Sequence, residues 1–201
     1  MLTVLVIDES RSRAGEICAG LALAGYQVAA ILAGSENLTA EVEKLQPDVI
    51  LIDTDSPSRD TLEHLAAMNK NMPRPVVIFT QEDGQATIRD AVKAGVSAYI
   101  VDGLDPKRIK PIVEVARARF EDTQALRREL DEISQKLSDR KLVDKAKGVL
   151  MKARGLDEDA AYHAMRKLAM ERGQTMAKVA RDVIDMARDV ARLLGIGTVG
   201  G

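Results

Sequence analysis

Val49-Ile50-Leu51-Ile52-Asp53-Thr54-Asp55 is an apolar run that ends on acid. Thr3-Val4-Leu5-Val6-Ile7-Asp8-Glu9 repeats the design near the N-terminus. Short β-branched runs that are apolar at every position predict strands buried on both faces, the condition of a parallel sheet. Val28–Leu32, Val76–Phe79 and Ala98–Val101 read the same way, with amphipathic segments between the runs, such as Ile88, Ala91, Val92 and Gly95. Residues 1–120 are therefore expected to form an α/β domain, a doubly wound five-stranded parallel sheet of order 2-1-3-4-5. Ligands of such sheets sit at the carboxyl ends of the strands.

That order brings Asp8, Glu9 and Asp53 to neighbouring strand ends. Carboxylates so close repel one another, and a hard divalent cation with oxygen ligands, usually magnesium, would make sense of them. Thr80 ends the fourth strand, where its hydroxyl can meet an anion.

After Pro106 the pattern turns helical. Ile109 to Leu137 contains no glycine, and its one proline, Pro111, falls in the tolerated first turn. Leu126, Leu130, Ile133 and Leu137 follow 4-3-4 spacing, a coiled-coil seam of two heptads. Residues 106–138 are read as a linker helix continuous with the last helix of the first domain. The seam pairs two copies or packs on a neighbouring helix of the same chain. Residues 139–194 read as a second, all-α domain of three short helices, broken at Arg154-Gly155 and Arg172-Gly173, with Asp157 and Thr175 as N-caps. Residues 195–201 are expected to be a flexible tail.

The net charge of −2 conceals an asymmetry. Residues 140–201 carry 13 Lys and Arg against 8 Asp and Glu, or +5, which leaves −7 for the remainder. A basic second domain suggests an anionic partner, although solvated helix faces alone can produce such an excess. Lys141, Lys145, Gly148 and Lys152 share one face of the first short helix. Tyr162 and Arg166 lie one turn apart on the second, where an exposed ring can stack an unpaired base. The single cysteine, Cys18, and the lack of a leader or a long apolar run point to the cytoplasm.

Over residues 1–120 the sequence resembles the receiver domains of response regulators, which are flavodoxin-like. The resemblance rests on Val4-Leu-Val-Ile-Asp8-Glu9, Leu51-Ile-Asp53-Thr-Asp-Ser-Pro57, Ile78-Phe-Thr80 and Ala94-Gly-Val-Ser-Ala-Tyr99. It implies that Asp53 accepts a phosphoryl group and that Asp8, Glu9, Asp53 and the backbone carbonyl of Asp55 hold magnesium. It also implies that Thr80 and Tyr99 form the switch. The family places a lysine where this chain has Asp102. An added like charge at about 6 Å costs on the order of 3 kcal/mol at an effective dielectric near 20. The receiver is thus expected to be degenerate, with phosphorylation of Asp53 in question. Asp53-Thr54-Asp55 also looks like the nucleophile motif of haloacid-dehalogenase-type phosphatases, but Pro57 and the Asp8-Glu9 pair favour a receiver, so no catalytic residue is expected.

Residues 134–194, through Ala146-Lys-Gly148-Val-Leu-Met151-Lys, Ala160-Ala-Tyr162 and Leu168-Ala-Met, resemble the ANTAR domain of transcription antiterminators. Those domains bind paired RNA hairpins. The likeness implies RNA contacts from Lys145, Lys147, Lys152, Tyr162, Arg166, Arg172 and Arg181. The order of receiver, coiled coil and ANTAR is similar to nitrate-assimilation antiterminators of the NasT type, which implies a homodimer held inactive by a nitrate-sensing protein. Two rival readings are a DNA-binding response regulator and a protein-interaction adaptor. The helix from Thr175 offers Met176, Ala177 and Lys178, poor residues for reading bases, and an adaptor leaves the basic face unused.

Overall fold

The computed structural model describes residues 1–9, 13–101 and 105–194. The chain divides into two compact units, Met1–Ala125 and Leu126–Gly201.

In the first unit five strands, β1 (Thr3–Asp8), β2 (Gln27–Leu32), β3 (Val49–Asp53), β4 (Val76–Thr80) and β5 (Ala98–Val101), alternate with helices. The helices are α1 (Ala14–Leu23), α2 (Leu38–Leu45), α3 (Arg59–Asn71) and α4 (Gln85–Lys93), followed by the start of α5 (Ile109–Arg154). Every strand pairing is parallel. The order is β2-β1-β3-β4-β5, as the sequence predicts. Strand pleating sends alternate residues to opposite faces. Val4 and Val6 join a core with Ile17 and Leu21 of α1 and Ile109 and Val113 of α5. Leu5 and Ile7 join a second core with Val42, Leu65, Met68 and Ala91 of α2, α3 and α4. Both faces are thus covered, which explains the unbroken apolar runs. The register sets Asp8 opposite Asp53, so two carboxylates meet at the centre of the sheet's carboxyl edge.

The second unit corrects one expectation. No separate short helix begins near residue 141, because α5 runs 46 residues without interruption. Ser138-Asp139-Arg140 contains neither glycine nor proline, so nothing there stops the hydrogen-bond ladder. Gly155, at φ +64°, follows the helix end in a left-handed conformation that glycine adopts without strain. Two further helices follow, α6 (Glu158–Arg172) and α7 (Met176–Leu193). Asp157 and Thr175 cap them as expected, their side chains accepting from the N–H groups of Ala160 and Lys178. Gly173, at φ +60°, closes α6 as Gln174 N–H donates to the Ala169 carbonyl. The core of this unit joins Ala146 of α5 to Met165 and Ala169 of α6 and to Val179, Ala180 and Ile184 of α7. Asp102, Gly103, Leu104 and residues 195–201, the last expected to form a tail, lie outside the described residues.

Candidate acidic site and candidate nucleic-acid interface

Asp8 and Asp53 are both buried at the sheet edge. Among the described residues the cation at Asp53 is one that the strand pattern does not single out. Arg13, just before α1, places Nε 3.0 Å from Asp53 Oδ2 and Nη2 3.6 Å from Asp55 Oδ1. Asp53 Oδ1 is buried and has no hydrogen-bond partner among the described residues. Burial raises the Asp53 pKa above the usual carboxylate value. Arg13 opposes that shift, and Asp8 and Asp55 add to it by repulsion. The signal that could have found Arg13 was a cation five residues beyond Asp8, in a loop that leaves the same sheet edge.

Glu9 is held differently. Its Oε2 accepts from the Thr54 hydroxyl at 2.7 Å and its Oε1 from the Thr61 hydroxyl at 2.8 Å. Thr61 is reached in turn by Ser35, which lies 3.0 Å from His64 Nδ1. The carbonyl of Asp55 accepts from the Thr80 hydroxyl at 2.8 Å and the Gln81 N–H at 3.2 Å. Thr80 is buried and also accepts from the Glu82 N–H. Tyr99 donates to the Glu82 carbonyl at 3.0 Å, so Thr80 and Tyr99 both brace the loop after β4. Burial raises the Tyr99 pKa.

Of the residues expected to hold magnesium, Asp8 and Asp53 are neighbours. The Asp55 carbonyl has both lone pairs engaged by the Thr80 hydroxyl and the Gln81 N–H, and each Glu9 oxygen already accepts one threonine hydroxyl. No group of three His, Cys, Asp or Glu able to hold a metal ion occurs among the described residues. Magnesium keeps several waters and takes one or two carboxylates, for which Asp8 and Asp53 are the candidates. Arg13 already stands against Asp53 and the Asp55 carbonyl is engaged, so as arranged the residues present no open site for it.

The second unit presents the opposite electrostatics. Lys145, Lys152, Arg166, Arg172 and Arg181 are exposed and form no ion pair among the described residues. Tyr162 is 40% exposed, its ring set edge-on to His163 at 6.0 Å. The surface beside Gly148 is open, since a Cβ there would meet nothing within 4 Å. Lys147 departs from the expected set. Its ammonium lies 2.8 Å from Asp144 and 2.6 Å from Glu158, so it ties α5 to the start of α6. On α5, Leu126, Leu130, Ile133 and Leu137 are each 55–58% exposed.

The family model for the response regulator receiver domain matches residues 4–114, and the chain belongs to that family. More particularly it is an ANTAR-containing response regulator, since the ANTAR domain model matches residues 131–184. The chain is 29% identical over 161 residues to the transcriptional regulatory protein PdtaR of Mycobacterium tuberculosis, covering 80% of this chain and 78% of that one. It is 36% identical over 75 residues to the nitrate regulatory protein of Klebsiella oxytoca, a match covering 37% of this chain and 19% of that one. Among solved structures it resembles the signal receiver domain of a modulated diguanylate cyclase from Desulfovibrio desulfuricans G20. There the TM-score is 0.53 at 20% identity, over 60% of this chain and 98% of that one. A CheY-like receiver domain protein from Methanospirillum hungatei JF-1 gives the same TM-score and identity over 61% and 98%. These two likenesses concern the fold alone. Among the described residues no helix is long and apolar enough to cross a membrane.

Proposed function

We propose that this chain is a cytoplasmic transcription antitermination regulator, not an enzyme, whose C-terminal domain over residues 139–194 captures paired hairpins in nascent leader RNA. The observation that carries the reading is a set of exposed cations that form no ion pair among the described residues, together with an exposed Tyr162, inside the segment that matches the ANTAR model. Lys145, Lys152, Arg166, Arg172 and Arg181 supply charge to the phosphate backbone, and Tyr162 stacks an unpaired loop base. Lys147 contributes through the α5–α6 contact rather than by touching RNA. The exposed seam from Leu126 to Leu137 pairs two copies, so that one dimer holds two hairpins. The likeness to a nitrate regulatory protein favours control of nitrate and nitrite assimilation, with a nitrate-sensing protein that holds the regulator inactive.

The test is a mobility-shift titration of the full chain with a two-hairpin leader RNA and with duplex DNA of the same sequence. The reading expects the RNA to shift at concentrations that leave the DNA free. Equal affinity for the duplex, or no RNA shift, contradicts it.

A further inference from the structure

The acidic site of the first unit holds a cation that belongs to the chain itself. Asp53 is fully buried, and the register sets Asp8, also buried, directly across from it. Two carboxylates withdrawn from water need a counter-charge close by. Arg13 brings one to 3.0 Å of Asp53 Oδ2 and reaches Asp55 with the other arm of its fork. Its side chain is 27% exposed, enough to be solvated on one side and too little to swing freely in water. A guanidinium stays charged at any working pH and presents its donors in a fixed plane, so it answers a carboxylate by geometry as well as charge.

We infer that Arg13 is the resident cation of this receiver and holds the place that the family gives to a divalent metal ion, so that the site as built does not take magnesium. Two further observations point the same way. The Asp55 carbonyl, a contact that the family gives to the metal, has both lone pairs engaged by Thr80 and Gln81. A metal ion arriving at Asp53 has to displace the Arg13 guanidinium and either free this carbonyl or do without it. The sequence from Ala98 to Asp105 also contains no lysine, so the far strand end supplies no alternative cation. The first unit is therefore set by an internal ion pair. A partner that draws Arg13 away from Asp53 changes that setting without any metal ion. This inference is independent of the RNA reading, because no residue of the second unit enters it.

Magnesium chloride titrated into the full chain tests it, followed by calorimetry and by the amide resonances around Asp53. The wild type, Arg13→Gln and Arg13→Ala are compared, with circular dichroism to verify the fold. The wild type is expected to show no saturable change at millimolar magnesium. Both variants are expected to bind at least about tenfold more tightly, a difference worth ~1.4 kcal/mol. A wild type that binds magnesium saturably at Asp53, or folded variants that bind no better than the wild type, overturns the inference. Should neither variant fold, the wild-type titration alone decides.

Discussion

The two units treat charge in opposite ways. In the receiver unit much of the acidic edge is answered from within: Asp53 Oδ2 by Arg13, Glu9 by two threonines, the Asp55 carbonyl by Thr80 and Gln81. In the second unit an apolar seam, a tyrosine ring and five cations are left to water. Other cations there, Lys136, Lys167, Lys178 and Arg188, pair along their own helices, and Lys147 is bound between Asp144 and Glu158. A group answered internally stabilises or sets its own unit, whereas a group left in solvent is free for a partner. Residue type alone does not separate the two cases.

The comparison breaks most visibly at the seam. Replacing both Leu130 and Ile133 with Lys places charge in the proposed dimer contact, and light scattering should then report monomers. A wild-type mass in the double variant would remove the seam from the interface.

The next largest effect concerns Asp53. Its pKa is raised in the folded chain by burial, with Arg13 opposing the shift. Below the ordinary value near 3.8 the protonated acid contributes its full share of stability. That share is lost as pH rises through the folded value, because ionising a buried acid is unfavourable. Asp53→Asn should therefore raise the thermal midpoint of the receiver unit at neutral pH, and the gain should vanish in acid. Arg13, 27% exposed, keeps part of its guanidinium in water when its partner is lost. A variant less stable at neutral pH would mean that the Arg13 pair outweighs the burial cost.

Gly148→Ala sharpens the other side of the comparison. Removing a glycine from a helix interior stabilises it by ~1 kcal/mol, and nothing lies within 4 Å to clash with the new methyl. RNA affinity should fall if a phosphate backbone closes on that surface, so calorimetric stability and hairpin binding should move in opposite directions. The smallest effect is expected from Lys147→Ala. It should lower the midpoint of the second unit slightly and leave the salt dependence of RNA binding unchanged. A flattened salt dependence would return Lys147 to the RNA contacts.

Much of the architecture was legible because it rests on local rules. Apolar strands from Val4 to Ile7 and Val49 to Ile52 required a sheet covered on both faces, and Asp157 and Thr175 announced their helices. The continuity of α5 through Ser138-Asp139-Arg140 is masked in the sequence by the change of pattern at the domain boundary, although nothing in that stretch breaks a helix. The acidic cluster was legible as a cluster. What each carboxylate faces was not, since Arg13 and Thr54 lie just outside their elements and Thr61 in the first turn of α3. Strand patterns do not encode how these residues reach their partners. For the same reason Lys145 and Lys147 look alike in sequence, although Glu158, across the Gly155 turn, engages only the second.

The central claim is that the charges and ring left in water on α5 and α6 are there for RNA. Its most direct test is the salt dependence of two-hairpin RNA binding for the wild type, Lys145→Ala, Lys152→Ala and Tyr162→Ala, with folding verified by circular dichroism. Each lysine loss should weaken binding to all hairpins and flatten the logarithmic salt slope by roughly one counterion. Tyr162→Ala should cost about 1–3 kcal/mol of binding and leave the slope almost unchanged, as stacking carries little of the charge term. If Tyr162→Ala melts the second unit while Lys152→Ala leaves affinity and slope untouched, the ring is a core residue, the basic face is ordinary surface, and the account is contradicted.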